Sequence, residues 1–129
     1  MEKAKSTFVR LNDLEVYQLA RELSRIAWSI YENFDWKDRK IVGDQFITST
    51  DSVGANIAEG HGRFHYLDKI RFFYQGRGSL AEAVHWIEIL GERKKVSCET
   101  ASSFKSYADK ISIKLQNLIT VTYTRKKKT

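Results

Sequence analysis

Two pairs of residues in the sequence have spacings that metal sites use. Glu82 and His85 form the Glu-x-x-His step that di-iron carboxylate bundles place on core-facing helices. Such a centre needs a second copy of this step and two further glutamates, and the sequence has no second copy. His61 and His65 lie four residues apart, but Gly62 separates them within a glycine-rich stretch that predicts a turn. The sequence therefore predicts no metal site and places Glu82 and His85 on the surface.

A third pattern, Gly76, Gly78 and Ala81, matches the G-x-G-x-x-A spacing of dinucleotide-binding turns. In such a turn the glycines let the backbone approach a pyrophosphate, and a β-strand must come directly before them. The apolar residues before Gly76 recur at helical spacing instead, so we predict no cofactor. Each glycine costs about 1 kcal/mol relative to alanine inside a helix. We therefore expect neighbouring helices to come close at Gly76 and Gly78.

The single cysteine, Cys98, is the last candidate for chemistry. It follows Lys94 and Lys95 and lies at the start of the last predicted helix, which are surroundings typical of reactive thiols. No histidine at motif spacing and no Cys-x-x-Cys partner accompanies it. We predict no catalytic residue, and the role of Cys98 stays open between a structural and an incidental thiol. One cysteine excludes an internal disulfide and fits a reducing cytoplasm.

The elements that position these residues are predicted to be helical. The chain has 129 residues, of which 29% are charged and none is proline, and proline is the residue that interrupts helices most strongly. Apolar residues recur at steps of three and four in four stretches. They predict helices over about 13–34, from Asp35 to Gly60, from Leu67 to Gly91 and from Ser97 to Thr122. Because helices of matched length with short loops pack as antiparallel neighbours, we predict an all-α, antiparallel up-down-up-down four-helix bundle.

The chain is interpreted as one domain, 1–129, with a short N-terminal arm of about 1–11 and a basic C-terminal tail of about 124–129. Asn12 and Glu15 have the spacing of a capping box, and Asp35 and Ser97 are predicted N-caps. Gly60 is predicted to end the second helix in a left-handed conformation. No apolar run approaches the ~20 residues of a spanning helix. We also predict no secretion signal, because the first residues have no apolar core and no small-residue cleavage site. We expect a cytoplasmic protein without a membrane partner.

Basic residues give the strongest functional signal, because the net charge is +6. An antiparallel bundle brings the C-terminal run and the central glycine-rich turn to the same end, where Phe64 and Tyr66 can stack bases. The opposite end receives a separate cluster, Arg93–Lys95. The candidates for contact with nucleic-acid phosphates are Arg63, Lys69, Arg71, Arg77, Arg125, Lys126, Lys127 and Lys128. The alternative is that these charges only make the surface soluble.

Three sequence motifs point to a known family: Leu14–Ala20 (LEVYQLA), Ser52–Gly60 (SVGANIAEG) followed by Arg63, and Gly78–Glu82 (GSLAE). They resemble the four-helix-bundle family named for the 23S rRNA intervening-sequence protein. The resemblance covers about residues 8–123. The motif residues to which it gives a structural role are Ser52, Asn56, Glu59, Gly60, Gly78, Ser79 and Glu82.

The resemblance implies a bundle that associates into ring-like pentamers and has no catalytic residues. Relatives include the accessory protein of diversity-generating retroelements, which partners a reverse transcriptase and binds nucleic acid. The sequence departs from the family pattern at Gly54, where proline is common, and at Tyr74–Arg77, which replaces a more aliphatic run. Self-association is also predicted because large aromatic side chains add more apolar area than one small core would normally bury. These residues are Trp28, Trp36, Trp86, Tyr17 and Tyr31.

Three functions therefore stay open at this point. The first is a non-enzymatic homo-oligomer that binds RNA, or DNA, or a ribonucleoprotein, without a cofactor. The second is an accessory subunit that docks a reverse transcriptase. The third is a protein-interaction scaffold without affinity for nucleic acid.

Overall fold

Four long helices connected by short turns make up the chain. The architecture comes from a computed structural model, which describes residues 9–128 and the side chains of residues 9–125. The helices are α1 (Glu15–Tyr31), α2 (Asp44–His61), α3 (Tyr66–Glu92) and α4 (Cys98–Lys128). No strand occurs between residues 9 and 128, and the all-α four-helix fold is confirmed.

Shorter helical segments lead into α1 and α2. A 3-10 turn, Leu11–Asp13, precedes α1. One α-helical turn, Trp36–Asp38, and a π-helical turn, Arg39–Gly43, continue directly into α2. The second predicted helix is therefore continuous after Asp35, but it contains a π-helical turn before the regular α-helix begins at Asp44.

Contacts between the helices connect all four of them. Each helix packs against the helices before and after it in the chain, and α1 also packs against α4. Lys114, midway along α4, lies 3.0 Å from the carboxylate of Glu15 at the start of α1. Lys105, early in α4, lies 3.2 Å from the carboxylate of Glu88 near the end of α3. The up-down-up-down order of the helices stays a prediction.

Apolar side chains from all four helices form one core. The largest fully buried side chains are Phe46, Phe73 and Phe104, and the rings of Phe46 and Phe104 lie 5.3 Å apart between their centroids. Burial of each such side chain stabilises the fold by about 1.5–3 kcal/mol. The core follows the predicted apolar stripes on α1, α2 and α4. On α3 the prediction is partly wrong, because Leu67 and Tyr74 of its stripe are exposed and Phe73 is buried instead.

The helix starts differ between the two ends of the bundle. Asp35 accepts a hydrogen bond from the Asp38 amide at 2.8 Å, and Ser97 accepts one from the Thr100 amide at 3.1 Å, so both predicted caps are confirmed. The predicted Asn12–Glu15 capping box is wrong. The 3-10 turn moves the N-cap of α1 to Leu14, which has no side-chain cap.

The glycines correct two further predictions and confirm a third. Gly60 is not left-handed, since no glycine in the described chain has a positive φ. It allows close packing, because an added Cβ would lie 2.6 Å from Cε1 of Phe73. Gly78 has open space around its missing side chain, so the predicted helix contact there is wrong. At Gly76 that contact is confirmed, with Asn56 Cβ at 3.4 Å from the added atom.

The two chain ends lie at the border of what the structure describes. Helix α4 continues to Lys128, so it passes through the residues assigned to a separate tail instead of ending near Thr122. The side chains of residues 126–128, residue 129 and most of the predicted N-terminal arm, residues 1–8, lie outside the described part. No helix among the described residues is long and apolar enough to cross a membrane.

Candidate nucleic-acid interface

One end of the bundle brings together the start of α1, the turn between α2 and α3, and the last turns of α4. A cleft of about 320 Å³ opens there, which we call the basic cleft. Its walls include His61, Tyr66, Lys69, Phe73, Leu118 and Arg125. The sequence predicted that the tail and the central turn share an end, and the cleft joins residues from both. We call this end of the bundle the cleft end.

Lys69 is held in the basic cleft by backbone oxygens. Its Nζ donates to the carbonyl of His61 at 2.9 Å and lies 3.5 Å from the carbonyl of Gly60. The ammonium group therefore sits at the C-terminal end of α2, where the helix dipole favours a cation. Burial lowers the pKa of Lys69, and the nearby positive charge of Arg125 lowers it further.

His61 shares this environment. Burial lowers the pKa of His61, the charge of Lys69 lowers it further, and a hydrogen bond with the Val9 backbone acts in the opposite direction. The neutral imidazole is therefore favoured in the folded protein. The charge of His61 therefore contributes less to this end than that of the lysines and arginines.

Two predicted arginines flank an aromatic ring beside the turn. The guanidinium carbon of Arg63 lies 4.8 Å, and that of Arg71 4.5 Å, from the ring centroid of Phe72. Arg63 also pairs with Glu59 at 2.7 Å, and Arg71 with Asp68 at 3.4 Å. Because all four charged groups are exposed, these pairs leave the arginines open to solvent but partly neutralise them. Sequence reasoning missed Phe72, although its position next to Arg71 on a helix is a usable signal.

The remaining candidates are spread more widely. Arg77 bonds Gln116 on α4 and lies over the ring of Tyr74 at 4.8 Å, two helical turns from the cleft residue Lys69. Arg125 lines the basic cleft itself. The side chains of Lys126, Lys127 and Lys128 lie outside the described part of the chain, although their backbone continues α4 toward this end.

An exposed aromatic side chain projects from the turn between α2 and α3. Phe64 is 88% exposed, and its only ring contact among the described residues is with His65, at 5.1 Å between centroids. Such a ring offers a face on which a base can stack. The structure therefore keeps Phe64 next to Arg63 and within one turn of the basic cleft, as the sequence suggested.

The motif residues hold the helices and turns in place. Asn56 donates to the Ser52 carbonyl at 2.9 Å, and its Cβ faces Gly76 of α3. Glu59 forms an ion pair with Arg63, which lies four residues further along the chain. Gly60, as described above, admits the Phe73 ring. Packing, an ion pair and a hydrogen bond therefore account for the Ser52–Gly60 motif without a ligand.

The Gly78–Glu82 motif makes fewer contacts with neighbouring helices. Glu82 accepts a hydrogen bond from Trp86 Nε1 at 3.1 Å, while Ser79 is half-buried and Gly78 is open. His85 packs edge-on against Trp86. Glu82 and His85 are both exposed, and no cluster of three or more potential metal ligands occurs among the described residues. Cys98 is exposed at the first position of α4.

Comparisons with known proteins point to one family. A family model described as 23S rRNA-intervening sequence protein matches residues 12–117. A solved structure of a protein with unknown function from the S23 ribosomal protein family of Bacteroides thetaiotaomicron is similar in fold, with a TM-score of 0.76 and 21% sequence identity. The match covers 81% of this chain and 95% of that one. No curated protein matches the chain.

Proposed function

The chain belongs to the 23S rRNA-intervening sequence protein family, and from this premise we propose that it is a non-enzymatic, oligomeric helical bundle that binds RNA. Binding takes place at the cleft end. The family name refers to an RNA, and the relative of known structure carries a ribosomal family name. Neither name by itself gives this chain an activity, so the proposal depends on the surface.

The observation that carries the proposal is a set of cations without carboxylate partners, together with an exposed ring in the turn between α2 and α3. Lys69, Arg77 and Arg125 have no carboxylate partner among the described residues, and Phe64 is nearly fully exposed next to Arg63. Cations that are not neutralised by the protein are free to exchange their counterions for phosphates. A nearby aromatic face adds stacking, which is worth about 1–3 kcal/mol per base.

Exposed apolar side chains support the oligomeric part of the proposal. Trp36 is 76% exposed and Trp28 is 51% exposed. Trp28 and Ile47 line a groove of about 360 Å³ between α1 and α2. Apolar area of this kind marks an interaction surface in a protein of this size. A ring of subunits, five by family resemblance, would repeat the cleft end and multiply its charge.

RNA binding is tested by titrating single-stranded and structured RNA at several salt concentrations. Each phosphate contact steepens the fall of log affinity with log salt by a little under one unit, about 0.7–0.9. Deletion of Arg125–Lys128 is expected to flatten this slope by two units or more. The matched control replaces Arg93 and Lys94 at the opposite end with glutamine, and its slope is expected to match the wild type.

The base-stacking contribution has its own variant. Phe64→Ala is expected to weaken binding of single-stranded RNA by about fivefold or more, because one stacked base is lost. Its salt slope should stay unchanged, since no phosphate contact is removed.

Other outcomes would contradict the proposal. Binding that does not respond to salt, or no binding at low salt, would leave the protein-interaction scaffold as the function. Light scattering at tens of micromolar protein tests self-association, and a monomeric mass would remove the oligomeric part. These two measurements are independent, so RNA binding and assembly can fail separately.

A further inference from the structure

The basic cleft combines two features that a general RNA surface does not need. It is concave, and it contains Lys69 and Arg125 close enough for the charge of one to act on the other. None of the described residues that line it is acidic. Two like charges in one cleft repel each other, and a bound anion removes that repulsion.

Both helices that begin at the cleft end add positive potential to the same place. Leu14, the N-cap of α1, and Tyr66, the first residue of α3, both line the cleft. Neither helix start has a side-chain cap. Free amide groups at a helix start carry partial positive charge and attract anions.

The donors are arranged so that a ligand can use them. An ammonium group has three N–H donors, and two backbone carbonyls lie within reach of Lys69, which leaves one donor for a ligand. Arg125 makes no hydrogen bond or ion pair with another described residue, so within the described part of the chain its guanidinium is open to a ligand.

The rest of the cleft is apolar or aromatic. Phe73, Leu118 and Val121 form walls, and Tyr66 contributes a ring. An inorganic anion would leave these walls in contact with water. A volume of about 320 Å³ lies at the lower end of the roughly 300–1,000 Å³ range of small-molecule sites.

We propose that the basic cleft binds a single nucleotide, with the phosphate on Lys69 and Arg125 and the base against the apolar wall. The same chemistry has two sources, a free nucleoside monophosphate or the 5′-phosphorylated end of an RNA strand. The second source deepens the proposed function and rests on it, whereas the first does not depend on it.

Calorimetric titration of the full chain with AMP, adenosine and inorganic phosphate tests the site. AMP is expected to bind at least about tenfold more tightly than either fragment, because only AMP uses the cations and the walls together. Arg125→Met is expected to weaken AMP binding about tenfold, since a charge-assisted hydrogen bond is lost. Among the described residues this change removes no hydrogen bond or ion pair, so we expect the variant to fold.

The matched control is Arg93→Met, which removes the same side chain from the opposite end and is expected to leave AMP affinity unchanged. Equal effects of Arg125→Met and Arg93→Met would show only a general charge effect and would overturn the proposal. AMP that binds no better than phosphate would overturn it as well.

Two oligonucleotides of identical sequence separate the sources. One carries a 5′-phosphate and the other a 5′-hydroxyl, and each competes with AMP. Displacement by the phosphorylated strand alone assigns the cleft to strand ends, and displacement by neither assigns it to free nucleotides. Binding of 5′-hydroxyl RNA without any AMP binding would refute the cleft but keep the proposed function, and AMP binding without RNA binding would do the reverse.

Discussion

The two ends of the bundle have similar basic clusters in sequence but different surroundings in the fold. At the cleft end, Lys69 and Arg125 line the same cleft, and none of its described lining residues is a carboxylate. At the opposite end, which we call the capped end, Lys95 lies 3.1 Å from the Asp38 carboxylate. Arg39 there donates to the Glu32 carbonyl at 3.1 Å and lies over the Tyr31 ring.

Helix termini differ in the same direction. Asp35 and Ser97 cap both helical segments that begin at the capped end, whereas α1 and α3 begin without side-chain caps at the cleft end. At the capped end, both helix starts have a side-chain cap and Lys95 has a carboxylate partner. At the cleft end, neither helix start has a side-chain cap, and Lys69 and Arg125 have no carboxylate partner among the described residues. Charge counted along a sequence does not reveal this difference, because it depends on which partner each cation finds.

Packing at Gly60 gives the largest expected difference between the ends. Gly60→Ala places a methyl group 2.6 Å from Phe73 and 3.0 Å from the Lys69 carbonyl, so we expect a loss of about 1–3 kcal/mol in the free energy of unfolding. The control at the capped end is Gly91→Ala, where nothing lies within 4 Å of the added atom. It should stabilise the protein by up to about 1 kcal/mol through helix propensity.

Urea denaturation midpoints measure both variants. If Gly60→Ala were as stable as the wild type, Phe73 would be able to move aside at little cost. The close packing at Gly60 would then not limit the size of the residue there. The exposed Gly78→Ala is expected to behave like Gly91→Ala, which tests the corrected account of Gly78.

The glycines also show what could be predicted from the sequence. The apolar periodicity predicted four helices and the core faces, because it is a local property that burial enforces. It could not distinguish Gly76, which meets Asn56, from Gly78, which meets nothing. Both lie in one helix with the same propensity cost, and only the position of the neighbouring helix separates them.

A smaller effect is expected from the caps at the capped end. Ser97→Ala removes the acceptor for the Thr100 amide and should cost about 0.5–2 kcal/mol. Asn12→Ala, at the position of the capping box that does not form, should cost less, because its side chain caps no helix in the structure. Thermal denaturation compares the two, and an equal loss would mean that α1 does use a side-chain cap.

The candidate site was predictable in its location but not in its shape. The predicted antiparallel order places the central turn and the C-terminal run at the same end of the bundle, so basic residues were expected together there. The pairing of Arg63 with Glu59 also follows from their four-residue spacing on a helix. The cleft could not be predicted, because it requires the positions of α1, α2, α3 and α4 relative to one another.

The smallest predicted effect uses pH to distinguish the ends. The pKa of His61 at the cleft end is lowered below 6.5 by burial and then by the charge of Lys69. Between the lowered value and 6.5 the unfolded chain binds more protons than the folded protein, so stability falls as the pH decreases through this window.

Carboxylates also titrate on acidification, so the variant His61→Gln is needed to isolate the contribution of the histidine. Urea midpoints at pH 7.5 and pH 5 should fall less for His61→Gln than for the wild type. The control His85→Gln, an exposed histidine on α3, should fall as much as the wild type. If all three proteins lost the same stability, the proximity of His61 to Lys69 would have no energetic consequence, and the electrostatic contrast between the ends would rest on Lys69 and Arg125 alone.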